Sequence, residues 1–353
     1  MAKTFKPMLG DDIVTTRTLL HEAIPITGTI SSGTYINAGS DTNIKTFSHG
    51  MFESVYDYPY LSSSANHIFD LTYGCSSNAS SSANTQNAKK LNIYNQMAQV
   101  LFGYDISGNI RNFESDGIVN GNNAMDQCFF VNFSRLLTKD EVKKNSFRFT
   151  VYTSGTIVGD GSGRNTKLTI GDYGSATEYR TSPSGDYAMI YTSSATTNTG
   201  SGVGLLFYQA GIAVITSSLF TGNWGTSGSS GATFQDLTAP SITAAQTGST
   251  IEQLADGFRH VIDDVDFNNT IELNSAIYFC RVNHNEYNYS ANPTYVSGSK
   301  IVVKNNVSDL PVTYITSVGL YSPDNELLAV AKLSEPIRKD PNTELTLRVR
   351  LDY

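Results

Sequence analysis

Hydrophobic and polar residues alternate in many short runs of this chain and keep helical spacing in only a few. The clearest helix is NTQNAKKLNIYNQMAQVLFG, where Leu91, Tyr94, Ala98 and Leu101 fall on one face beside Met97 and Phe102, and Gly103 stops it. STIEQLADGFRHVID predicts a second, with Leu254, Ala255, Phe258, Val261 and Ile262 as its apolar stripe. Ser249 and Glu252 have the spacing of a capping box there, and Thr138 and Glu141 repeat that spacing in TKDE. Strands are predicted at CFFVNF and at SFRFTVY, where Phe147, Phe149 and Val151 alternate with polar neighbours.

Toward the C-terminus three more strand-like stretches follow. The first is TIELNSAIYFCRV. The second, VTYITSVGLYSPDNELLAVAKL, reads as a hairpin turning at Pro323-Asp324-Asn325. The third is ELTLRVRL, whose Leu345, Leu347, Val349 and Leu351 oppose Thr346, Arg348 and Arg350; such alternation predicts one buried and one wet face. Residues 1–80 show little helical period. IPITGTISSGTYINAGS reads as strands and turns, and the segment suits an arm laid on something else. Residues 151–248 differ in style. Glycine and serine are dense, charge is sparse, and short apolar runs such as YAMIY, VGLLFY and IAVIT are separated by loops such as GNWGTSGSSGATF. The expectation is a mainly β fold with a β-sandwich-like core and two or three helices. Residues 1–150 supply an arm and the first part of the core, 151–248 an inserted hairpin-rich β lobe, and 249–353 the rest of the core.

Composition sharpens this reading. Only 16% of the 353 residues are charged, against 39% hydrophobic, with 20 Tyr and 17 Phe; that is a β-rich mixture. A net charge of −8 without a Lys/Arg cluster excludes the usual grip on nucleic acid. No apolar run reaches the length of a membrane span, and MAKTFKPMLGDDIV lacks the apolar stretch of a secretory signal. Cys75, Cys128 and Cys280 are odd in number and far apart, so they predict buried small residues in a reducing cytoplasm, not disulfides or a zinc knuckle.

The most chemically suggestive stretch is RVNHNEYNYSANPTY. His284 and Glu286 would share one face of a strand, but no further ligand lies near them in sequence. The asparagines and the Asn292-Pro293 step predict a turn that bonds its own backbone. GDGSGRN lacks the GK[ST] ending of a P-loop. DDVDFNN (263–269) lacks the glycine and glutamate of an EF-hand and reads as an acidic cap after a helix. Neither G-x-S-x-G nor H-E-x-x-H occurs. Nothing marks a pair of glycosidase carboxylates, and the tyrosines and Trp224 suit interfaces as well as sugars. No catalytic residue, cofactor or metal is expected.

The stretches FNNTIELNSAIYFCRVNHNEYNYSANPTYVSGSKIVV, PVTYITSVGLYSPDNELLAVAKLSEPIRKD and LTLRVRLDY together resemble virion structural proteins of contractile-tailed bacteriophages, especially those of marine cyanobacteria. TTRTLLHEAIPITGTI and YDYPYLSSSANHIFDLTYG are similar to the start of the same family. The resemblance covers roughly residues 1–150 and 250–353. It implies a structural subunit of the virion, made in the host bacterial cytoplasm and placed in the tail baseplate or adjoining tail. Its implied partners are other virion proteins, in symmetry-related copies, with neither nucleic acid nor membrane. A neck or capsid-surface protein and a sugar-binding adhesin remain as alternatives. The resemblance brings no catalytic residues.

Overall fold

The structure, a computed structural model, describes residues 5–25, 43–117, 123–155, 164–192, 202–220, 247–290, 295–297, 300–301, 306 and 308–353. The chain runs through β1 (Ile13–Pro25), β2 (Ile44–Lys45), β3 (Glu53–Tyr56), β4 (His67–Cys75), α1 (Asn87–Leu101), β5 (Gln127–Phe133), α2 (Arg135–Thr138), β6 (Glu141–Val142), β7 (Arg148–Gly155) and β8 (Arg164–Gly171). It continues through β9 (Arg180–Ser182), β10 (Gly185–Tyr191), β11 (Gly202–Phe207), β12 (Ile212–Thr216), α3 (Ile251–Val261) and β13 (Ile262–Val282). Last come β14 (Val296–Ser297), β15 (Lys300–Ile301), β16 (Thr313–Tyr321), β17 (Leu327–Lys339) and β18 (Leu345–Asp352). The fold is mainly β, with a large antiparallel sheet. Two units divide it: 20–271, and 1–19 together with 272–353. The chain passes between them inside β1 and β13.

In the larger unit the strands lie in the order β13-β7-β8-β10-β11-β12-β5-β4-β3-β2. The apolar run of β5 is continuous because the strand is covered on both faces. Phe129, Val131 and Phe133 enter one core cluster, Cys128 and Phe130 the other. The same split runs through β11 and β12, where Leu206, Ala213 and Ile215 oppose Leu205, Phe207 and Val214. Into the first cluster α3 inserts Phe258, stacked on Phe129 at 4.5 Å between ring centroids and against Phe149 at 6.0 Å. Phe133 of β5 also meets Phe147 and Phe267, at 5.8 and 5.2 Å, so distant parts of the sheet close on one core in a sandwich-like way.

The second cluster is covered by α1. Its buried face is Lys90, Ile93, Tyr94, Ala98 and Leu101, rotated from the expected stripe so that Leu91 is only half-buried. Gly103 ends the helix at φ +76°, its N–H donating to the Ala98 carbonyl. The helix backbone rests on Gly74 of β4. A Cβ there would sit 2.8 Å from the Tyr94 nitrogen and 3.0 Å from the Lys90 oxygen. The Tyr94 hydroxyl donates to the Met125 carbonyl and accepts from the Phe113 N–H, both at 3.0 Å, and burial pushes its pKa up.

Lys90 is 1% exposed, donates to the Ser249 carbonyl at 2.8 Å and lies over the Tyr73 ring. Burial holds its ammonium at about 8, below the ordinary 10.5. The folded chain gives up this proton before the unfolded chain does, so the cost of burying the charge falls as pH rises from about 8 toward 10.5. The stability of the natural chain relative to Lys90→Met is therefore expected to rise over that window in urea titrations. A pH-independent difference would contradict it.

Several expectations are corrected. The composition of residues 151–248 predicts an inserted lobe, yet β8 pairs β7, and β12 pairs β5 from Ile212↔Asn132 to Thr216↔Cys128, so the strands described there continue the main sheet. Residues 249–271 share a core with them, whereas 272–353 belong with 1–19. Thr138 ends α2 instead of starting a helix; Lys139 turns at φ +55° and Glu141 begins β6. The capping box of α3 is Thr250–Gln253, one residue beyond Ser249–Glu252, with Thr250 Oγ1 accepting from the Gln253 N–H at 3.1 Å. Residues 263–269 form no helix cap. β13 begins directly after α3, with Val265, Phe267 and Asn269 buried and Asp263 paired with Lys167 at 2.9 Å.

Candidate docking surface

The smaller unit has far less interior than its apolar content allows. Neither core cluster contains one of its described residues. Among its described hydrophobic residues only Ala276, Val282 and Val349 are buried, while fifteen large ones are exposed. Its frame is β13 paired with β18 from Ser275↔Asp352 to Val282↔Leu345. As the alternation requires, Val349 is buried and Leu345, Leu347 and Leu351 half-buried, while Thr346, Arg348 and Arg350 are exposed. Val349→Asp is expected to cost at least the roughly 1.5–3 kcal/mol of burying such a side chain, and Arg348→Ala less than about 0.5 kcal/mol. Chemical denaturation separates the two, and equal tolerance would show that β18 is not held by its apolar face.

β16 and β17 form a hairpin turning at Ser322–Glu326, as expected at Pro323-Asp324-Asn325, with Asn325 at φ +66°. The hairpin is a two-stranded sheet of its own, and such a ribbon is marginal without something to cover it. Leu327, Leu328 and Val330 are 53%, 68% and 53% exposed, with exposed Tyr321 opposite Leu327 and exposed Tyr314 toward the other end of the hairpin. Phe5 meets Tyr321 edge-on at 4.8 Å. A cavity of about 960 Å³ lies within this unit, lined among others by Tyr278, Tyr289, Tyr314, Leu328, Leu347 and Leu351. Exposed apolar strands bordering a tyrosine-lined cavity are surface that proteins usually cover with a partner.

The His284–Glu286 stretch is a tied turn in this unit. Glu286 pairs with Lys6 and accepts from the Asn283 N–H, while His284 faces Glu344 at 3.2 Å. The two side chains thus go to different partners. The asparagine turn does bond its own backbone, Asn288 Nδ2 donating to the His284 carbonyl at 2.8 Å. Sequence reasoning missed Lys339. It is fully buried and donates to the His284 and Asp340 carbonyls and to Asn288 Oδ1, at 3.1, 2.8 and 2.6 Å. Desolvation lowers its pKa, and only its place at the end of an apolar strand could have hinted at this role. Asn292-Pro293, Trp224 and most of GDGSGRN lie outside the described residues.

No cluster of three or more His, Cys, Asp or Glu able to hold a metal occurs among the described residues. Cys75 and Cys128 are buried, with thiols pushed up by burial; Cys280 is half-buried, and all three are free. A densely bonded carboxylate, Asp172 in the larger unit, is fully buried. It accepts from the Phe147 and Asn145 N–H groups, Ser175, Tyr208 and Arg148. Its pKa is raised by desolvation in spite of those donors. They tie the loop after β8 to the chain entering β7 and to Tyr208 after β11, and no face of the carboxylate is open to a substrate. Among the described residues no helix is long and apolar enough to cross a membrane. No family model, curated protein or solved structure matches the chain.

Proposed function

We propose that this chain is a structural subunit of a tailed-bacteriophage virion, in the tail baseplate or the adjoining tail, and that it works by docking. The carrying observation is the contrast between its units. One has a deep two-sided core, while the other displays Leu327, Leu328, Val330, Tyr314 and Tyr321 on paired strands with almost no interior of its own. A built core that presents unfinished β-structure is suited to protein–protein assembly through strand edges and aromatic patches. The likeness of residues 250–353 to phage virion proteins gives that surface its setting. In this reading the exposed strands of the smaller unit are covered by neighbouring virion proteins.

Mass spectrometry of gradient-purified particles tests the assignment. The chain is expected at a constant ratio to the tail proteins. Its absence from infectious particles would overturn the proposal.

A further inference from the structure

The exposed strand β17 begins within a short sequence that complements itself. Residues 326–332 read ELLAVAK. Glu326, Leu328, Val330 and Lys332 are all exposed, whereas Ala329 and Ala331 between them are half-buried. β16 occupies one edge of β17, and among the described residues no strand pairs with the other. Natural edges of this kind are usually blunted by charge, proline or a bulge, because open backbone groups beside apolar side chains invite another strand. Here Lys332, Glu335 and Pro336 all lie beyond the apolar residues 327–331.

We infer that the occupant of this edge is a second copy of the same chain, joined antiparallel about a twofold axis at Ala329. In that register Glu326 faces Lys332 of the second copy, Leu328 faces its Val330, and Ala329 faces its own equivalent. The pairing repeats in reverse on the other side of the axis. Residues opposite one another share a face of the joined sheet, so both charge pairs and both apolar pairs lie on the exposed side. Two hairpins become a four-stranded sheet, which removes the weakness of an isolated two-stranded ribbon. The unit's overall charge is compatible with this. Of the chain's ionisable residues, 1–19 and 272–353 hold eleven basic and eleven acidic, so the whole −8 belongs to 20–271. A strongly charged partner would find no complement in the smaller unit, while a copy of this neutral, alternating edge finds one at every position.

Sedimentation equilibrium of the full chain, with charge swaps at these exposed positions, tests the pairing. The natural chain is expected to be dimeric at micromolar concentration. Glu326→Lys alone, or Lys332→Glu alone, places like charges opposite one another at two symmetric places and should weaken the dimer by about tenfold or more. An equimolar mixture of the two single variants restores opposite charges at both places and should dimerise again, as should the double variant. A natural chain that stays monomeric, a dimer indifferent to the single swaps, or a mixture that fails to recover would each overturn the inference. The pairing involves the same unit as the docking proposal, but the two fail separately: a monomeric chain found in virions removes only the self-pairing, and a dimeric chain absent from virions removes only the virion role.

Discussion

Replacing residues 151–248 by a short Gly-Ser linker is expected to leave no folded protein. The local composition of that segment suggests a dispensable insertion, but β10, β11 and β12 stand between β8 and β5 in the sheet. The replacement would remove Ile190, Leu205, Leu206, Phe207, Tyr208, Val214, Ile215 and Phe220, all buried on one or the other face. At roughly 1.5–3 kcal/mol for each fully buried large side chain, their sum exceeds the about 5–15 kcal/mol by which a domain is normally stable. Far-ultraviolet circular dichroism with thermal melting decides the matter. A cooperative melt near that of the natural chain would mean that the pairing of β12 with β5 does not hold the unit together.

Phe258→Ala is expected to cost about 3–5 kcal/mol, the range for removing a buried phenylalanine. The ring stacks on Phe129, faces Phe149 and takes the edge of Phe220 at 5.6 Å, so its loss opens a void shared by α3, β5 and β7. Leu328→Ala is the informative comparison. It removes an equally apolar side chain, but one that is 68% exposed, and should change the stability of the isolated chain by less than about 0.5 kcal/mol. Urea denaturation of both variants measures the contrast. If Leu328→Ala were as costly as Phe258→Ala, the smaller unit would hold a core of its own and its exposed leucines would need no partner.

Elements whose apolar pattern is local could be read from the sequence. The continuous run in β5, the stripe of α3, the turn at Asn325 and the alternation of β18 each depend on a few neighbouring residues, and each is found in the structure. What could not be read is which strands meet. Ile212 pairs with Asn132 across eighty residues, and the glycines and serines of the intervening loops say nothing about that partner. Motif spacing also misled where the following residues disagreed with it. Thr138-x-x-Glu141 has the form of a capping box, but no apolar helical run follows, and the chain turns into β6 instead. The passage from α3 to β13 at Val261–Ile262 has no glycine or proline, and the acidic stretch 263–266 marks the helix end without showing that a strand starts at once. Buried Lys90 and Lys339 run against the rule that lysines stay wet, and only the Ser249 carbonyl and Tyr73 ring at the one amine and the two carbonyls at the other reveal their place.

The docking surface was legible in part. Tyrosine abundance and the hairpin pattern suggested an interface, but a hairpin sequence looks the same whether its apolar residues are covered by its own chain or left open. Exposure of Leu327, Leu328 and Val330 in a unit whose described residues join neither core cluster makes the difference.

An electron-microscopy map of the intact virion, at a resolution that shows side chains, tests the central claim most directly. The account predicts density for this chain in the tail, with β16 and β17 covered by protein and Leu328 and Val330 removed from solvent. A map in which those strands face open solvent in every copy, or in which no tail density fits the chain, would contradict it.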